Sequence, residues 1–194
     1  MKLDYEPPHL LGLLWFVLRS NRMHPQNSGE SELNHHPVRK SRPISAVELK
    51  QAGFKLTAST GWFAYMKCQK KKLPFSGELS LSPLFLSENR ACGLINMAAL
   101  ESVLATNSES WDMDVYVVSS YLSLLAMLMV REDDVHQLRK SGILISSFSD
   151  AQTLDLFKCL SLHLRPGNEF FSTLDEIEWR TLAVLNFLGD HHDS

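Results

Sequence analysis

One apolar stretch, from Val115 to Val130, constrains the fold more than any other part of the sequence because it contains no charged residue. A helix of this length spans roughly 24 Å, which is less than the ~30 Å hydrocarbon core of a bilayer. A helix that is apolar on nearly every side needs protein around it. The stretch therefore predicts a buried central helix, with Ser119, Ser120 and Ser123 on the side where a neighbouring segment can approach closely.

The composition is that of a globular protein: of 194 residues, 44% are hydrophobic and 21% are charged. The formal net charge of -3 argues against a nucleic-acid partner, which would require a concentrated basic face. The three cysteines, Cys68, Cys92 and Cys159, are odd in number and widely spaced. They indicate buried or incidental thiols in a reducing compartment rather than a disulfide framework.

Four segments are predicted along the chain. Residues 1–20 contain an N-terminal helix from about His9 to Arg19; the apolar run within it follows acidic residues and prolines, so we do not interpret it as a signal peptide. Residues 21–43 are rich in Ser, Asn, His and Pro and are predicted to be a flexible linker, whose His24, His35 and His36 we interpret as solvated. Residues 44–188 form the main domain, and 189–194 a loose tail.

The main domain is predicted to be α+β and mainly α, a helical domain around the central helix with a small antiparallel β-sheet. Ser45 and Glu48 form a capping box that opens a short helix, and Gly53 ends it. Alternation with period two predicts strands that pair as a meander: they lie at Phe54–Thr57, Trp62–Cys68 and Glu78–Leu81. Further helices are predicted from Ser87 to about Ala105, after Asp133, from Ser149 through Leu164, and from about Ser172 onwards.

Asp133, Asp134 and His136 are the strongest candidates for metal binding or acid–base chemistry, since positions 133 and 136 are one helical turn apart. Nothing nearby in the sequence completes a metal site. We therefore favour an acidic first turn of a helix with an exposed histidine. Cys159 and His163 could also touch on one helix, but the surrounding leucines favour a buried, inert thiol. No glycine-rich phosphate loop is present, and no cofactor is expected.

Lys70, Lys71 and Lys72 form a second candidate surface, next to a strand that contains Lys67. Such a group can attract an acidic partner or an anionic membrane surface, at about 1 kcal/mol per lysine. A solvated hairpin tip that protects the edge of a sheet explains the lysines equally well.

Several blocks of the sequence, in this order and spacing, resemble the plant domain of unknown function 247 family. The blocks are Pro8–Leu11, Ile44–Leu56, Gly77–Leu81, Ser120–Leu125, Glu132–Val135 and Lys140–Ile145. The resemblance covers about Pro8 to Glu178.

The resemblance implies a longer protein, because members of that family usually carry an N-terminal half that is missing here and end in a membrane-spanning helix. This chain then resembles the C-terminal half of the family, as a truncated member or a gene-model fragment, and is expected in the cytoplasm or at a membrane. The usual Asn and Glu of the family correspond to Asn96 and Glu101, whereas Ala126 stands where members often have an Asp.

We expect a non-catalytic interaction or signalling module; some grass relatives in the family are implicated in self-incompatibility recognition. The candidate contacts with an unknown protein partner are Lys70, Lys71, Lys72, Glu132, Asp133, Asp134 and His136. The alternative is a metal-dependent hydrolase-like enzyme that uses Asp133, Asp134 and His136. A third hypothesis is that the missing half contributes core residues and leaves this chain marginally folded.

Overall fold

The computed structural model describes residues 9–20, 44–70, 77–107 and 115–190, which form seven helices and five strands. The chain divides into two units at Pro43 and Ile44. In the first unit, helix α1 (Leu10–Ser20) lies where an N-terminal helix was predicted. The backbone N–H of Gly12 donates to Nδ1 of His9 at 2.9 Å, which satisfies one free donor of its first turn. The predicted linker and its histidines lie outside the described residues.

The second unit confirms the predicted class, α+β and mainly α. Its helices are α2 (Ala46–Gln51), α3 (Glu88–Asn107), α4 (Val117–Leu128), α5 (Glu132–Lys140), α6 (Asp150–Ser161) and α7 (Asn168–Asp190). Its strands are β1 (Lys55–Ala58), β2 (Met66–Lys70), β3 (Gly77–Leu81), β4 (Leu84–Leu86) and β5 (Leu144–Ser146).

Helix α4 is the predicted central helix, and it packs against α3, α6 and α7. Nine of its twelve residues are buried. Its serine side allows the predicted close approach: the hydroxyl of Ser120 accepts a 2.8 Å hydrogen bond from the backbone N–H of Gly167, just before α7. Tyr121 donates its hydroxyl hydrogen to the carbonyl of Ser82, which ties α4 to the segment between β3 and β4. The prediction of a buried central helix is confirmed.

The main sheet is mixed, so the prediction of an antiparallel meander is wrong. Its strand order is β1-β3-β2, in which β3 is parallel to β1 and antiparallel to β2. The alternating pattern identifies a strand's buried face but not its neighbour, and β1 pairs with β3 rather than with the next strand in sequence. The predicted strand at Trp62 begins only at Met66, because the chain turns at Ala64 with a φ of 61°. Trp62 is 63% exposed.

Strands β4 and β5 form a second, parallel pair that the sequence did not predict. Each strand has only three residues, too few for a period-two pattern to stand out. Leu84 and Leu144 are paired in register and buried, whereas their neighbours Phe85 and Ile145 are paired and about half exposed. The pair joins the start of α3 to the end of α5.

The helix boundaries follow local signals in most places. The capping boxes at Ser45 and Ser149 form as predicted, and Gly53 takes the positive φ, 86°, that ends α2. Helix α6 ends earlier than predicted, and α7 begins at Asn168 and continues to Asp190, within the predicted loose tail; residues 191–194 lie outside the described part. None of the helices described here is long and apolar enough to cross a membrane.

Candidate functional site

The acidic turn before α5 is built around one buried carboxylate. Oδ2 of Asp134 accepts hydrogen bonds from the backbone N–H groups of Val130 (3.1 Å) and Arg131 (2.9 Å). Oδ1 accepts a third, at 2.9 Å, from Val47 in the first turn of α2. Asp134 was predicted to be a contact on the surface, and that placement is wrong: it is fully buried, and its carboxylate accepts from three donors that no helix hydrogen bond satisfies.

The other predicted members of this turn are exposed. Glu132, Asp133 and His136 lie on the surface, and Val130 is 44% exposed beside them. We call these four residues the acidic surface. The hydrogen bonds of Asp134 fix the backbone of this turn. The acidic surface therefore presents two carboxylates, an imidazole and an apolar side chain from a backbone of defined conformation.

A second set of contacts holds α5, the helix that carries most of the acidic surface, against β5 and α6. Nε of Arg139 lies 2.6 Å from Oδ1 of Asp150, and one of its terminal nitrogens donates to the carbonyl of Ser146 at 2.9 Å. Arg139 thus connects α5, the end of β5 and the first turn of α6. Nδ1 of His136 lies 3.9 Å from Oδ2 of Asp150, but 73% of the histidine side chain is exposed. A pair this long and this solvated contributes little.

The described residues do not bring a third metal ligand to Asp133 and His136. Among them, no group of three or more His, Cys, Asp or Glu side chains is placed to hold a metal ion. Both oxygens of Asp134 accept backbone hydrogen bonds and the side chain is fully buried, so it does not face the surface that Asp133 and His136 share.

The lysine candidates lie mostly outside the described residues. Lys70 is the last residue of β2 and pairs with Gly77, while Lys71 and Lys72 belong to the segment that is not described. Lys67 is exposed on the outer face of the same strand. The chemistry of this surface therefore remains a prediction from sequence.

The expectation of a buried Cys159 is wrong, since its thiol is exposed, as is that of Cys92. Cys68 is the least exposed cysteine. Burial raises the pKa of its thiol to about 11, against the lowering effect of nearby Arg180. Cys68 is consequently protonated at neutral pH and a poor nucleophile.

Glu101 is a second buried carboxylate, which sequence reasoning connected to the family resemblance but to no role. From the middle of α3 it reaches the start of α4. Oε1 accepts from the N–H of Val118 at 2.7 Å, and Oε2 accepts from both the N–H (2.9 Å) and the hydroxyl (2.6 Å) of Ser119. Two signals could have revealed this role. Glu101 falls on the apolar stripe of α3, and Tyr116 gives α4 no side-chain cap of its own.

Residues 2–181 match a family model, DUF247, which is described as a plant protein of unknown function. No curated protein matches the chain, and neither does any solved structure.

Proposed function

The chain belongs to the DUF247 family of plant proteins of unknown function, and from that premise we propose that it is a non-catalytic protein-interaction module whose contact site is the acidic surface. The observation that carries this proposal is that one acidic residue of the turn is buried and binds the backbone, while its neighbours are exposed. Asp134 is buried and uses its carboxylate on the backbone, while Glu132, Asp133 and His136 point to solvent.

A fixed backbone favours binding because fewer conformations are lost when a partner docks. The surface combines negative charge with the exposed side chain of Val130, which suits a partner segment that carries basic residues next to an apolar one.

The proposal is tested with the intact chain as bait in a plant extract. In the test variant, Glu132→Lys and Asp133→Lys reverse the charge of the acidic surface and leave Asp134 in place. The matched control carries Asp155→Lys and Asp175→Lys, which make the same change at exposed acids on α6 and α7. A third variant replaces Lys70, Lys71 and Lys72 with Glu and tests the lysine surface separately.

We expect one or more proteins to bind the wild type and the control but not the test variant. With such a protein in purified form, the test variant should bind at least tenfold more weakly, and added salt should reduce the difference. Equal binding by the wild type and the test variant would show that the acidic surface is not the contact site. Loss of binding only in the lysine variant would transfer the contact to the lysine surface.

A further inference from the structure

The outer edge of β4 carries main-chain groups that do not take part in its pairing with β5. The N–H of Leu84 donates to the carbonyl of Ile143 at 2.7 Å, so the main-chain groups of Leu84 face β5. Those of Leu86 face β5 as well, because its carbonyl accepts from the N–H of Ser147 at 3.0 Å. The N–H and C=O groups of successive residues in a strand point in opposite directions, so those of Phe85 point away from β5.

The two outer edges of the β4–β5 sheet differ in what binds them. On β5, the outward carbonyl of Ser146 accepts from Arg139 at 2.9 Å, and the same guanidinium donates to the carbonyl of Phe148. An arginine side chain thus covers the edge of β5. On β4, no hydrogen bond joins the main-chain groups of Phe85 to any other residue that the structure describes. An unpaired strand edge is a template for a further extended segment.

The side chains beside this edge are apolar and basic. Phe85 is 49% and Ile145 48% exposed, and the strand register places them side by side on the outer face of the sheet. The guanidinium carbon of Arg90, in the first turn of α3, lies 5.3 Å from the centre of the Phe85 ring. Within the described part of the chain, no ion pair involves Arg90. The edge therefore joins a main-chain donor and acceptor to an apolar row and a positive charge.

We propose that the outer edge of β4 binds an extended acidic segment of a partner protein, which adds a third strand to the β4–β5 sheet. A helix does not fit, because its own N–H and C=O groups are already bonded to one another. The residue opposite Phe85 is apolar, since cross-strand neighbours pack together on one face. A carboxylate two residues away lies on that same face, where Arg90 pairs with it.

This edge shares no residue with the acidic surface and selects a partner segment of the opposite charge. The added ladder is short, because Pro83, two residues before Phe85, has no N–H to donate. Few main-chain hydrogen bonds form, and each contributes little net free energy. The segment therefore binds weakly and reversibly.

The first test measures the binding of two seven-residue peptides to the full chain. One has a central valine, glutamates two residues before and after it, and threonines elsewhere; the other has lysines in place of the glutamates. The wild type should bind the lysine peptide at least about fivefold more weakly, and Arg90→Glu should reverse this preference. Arg165→Glu, at an exposed arginine before α7, is the control and should keep the wild-type preference. Circular dichroism confirms that both variants are folded.

The second test examines the main-chain pairing. N-methyl groups on the valine and on both adjacent threonines remove three N–H donors from the glutamate peptide and leave its side chains unchanged. The methylated peptide should bind at least about tenfold more weakly. In amide NMR spectra, the unmodified peptide should shift the signals of Phe85 and Ile145 more than that of Val47, beside the acidic surface. No binding of the glutamate peptide by the wild type, equal binding after methylation, or an unchanged preference in Arg90→Glu would overturn the proposal.

Discussion

The start of α4 and the start of α5 are held in the same chemical way but by different routes. Each uses a buried carboxylate that accepts three hydrogen bonds near a helix N-terminus. Asp134 belongs to the turn it holds, with two donors three and four residues away and a third 87 residues away in α2. Glu101 belongs to another helix, and its donors lie 17 and 18 residues away. A helix N-terminus can thus be stabilised from within its own sequence or only through the tertiary fold.

The surroundings of the two carboxylates also differ. The hydrogen bonds that Glu101 accepts from Val118 and Ser119 are buried, whereas those that Asp134 accepts are partly buried. Water can therefore reach the donors at α5 more easily than those at α4 if the carboxylate is removed. Neither helix has another side-chain cap, since Tyr116 before α4 and Arg131 before α5 supply none, so the difference lies in the burial of the hydrogen bonds. We expect α4 to depend more strongly on its single carboxylate.

The largest effect is expected from Glu101→Ala, which should lower the free energy of unfolding by about 4 kcal/mol because it leaves buried donors without an acceptor. Urea denaturation of the purified variant measures this loss. Glu88→Ala, at an exposed acid on the same helix, is the control and should change stability by less than about 0.5 kcal/mol. A loss of under about 1 kcal/mol for Glu101→Ala would mean that the start of α4 does not depend on this carboxylate.

Asp134→Ala should cost less, about 2–3 kcal/mol, since water can take over part of its hydrogen bonding. The neighbouring Asp133→Ala, at an exposed position, is the control and should have little effect. Hydrogen exchange adds a local readout: the amide of Val47 should exchange faster in the Asp134 variant, because it loses its acceptor. If Asp134→Ala lowers the free energy of unfolding by more than Glu101→Ala does, the access of water to the donors does not explain the difference between the two carboxylates.

The contrast between these two residues also explains how much of the fold the sequence could predict. Capping boxes at Ser45 and Ser149 were predicted because donor and acceptor lie three residues apart. The central helix was predicted because its apolar run requires burial. The pairing of β1 was not predicted, since β2 lies between β1 and β3 in the sequence but on the far side of β3 in the sheet. Interactions within one or two turns are visible in a single sequence, whereas pairings between distant segments are not.

The same limit applies to the candidate site. The sequence located the acidic turn and the exposed positions of Glu132, Asp133 and His136 within it. It misplaced Asp134, because the donor from Val47 in α2 is brought to the turn only by the packing of α2 on α5. Cys159 was misplaced because the leucines around it are not buried themselves: Leu156 and Leu160 are half-buried, and Leu162 is 80% exposed.

Ser45→Ala should cost about 1 kcal/mol, because it removes the side chain that accepts from the N–H of Glu48. Combining it with Asp134→Ala sharpens the comparison, since both residues satisfy donors in the first turn of α2. We expect the double variant to lose a different amount from the sum of the single losses, by at least about 0.5 kcal/mol. Ser45→Ala combined with Glu101→Ala is the control pair. The losses of this control pair should add. If they depart from additivity as much as those of Ser45→Ala with Asp134→Ala, the helix starts held by Asp134 and by Glu101 are not independent.

Gly93→Ala should have the smallest effect, a gain of about 0.5–1 kcal/mol, since glycine within a helix costs conformational entropy. A Cβ at this position meets nothing within 4 Å, so the methyl group fits without strain. Thermal or urea unfolding measures the gain, and it should be unchanged in the presence of Glu101→Ala. The two positions are eight residues apart, roughly 12 Å along α3, which is far enough for their effects to add. Additive effects would mean that Glu101 acts on the start of α4 and not on the helix that carries it, whereas a gain that vanishes without Glu101 would show that the carboxylate also orders α3.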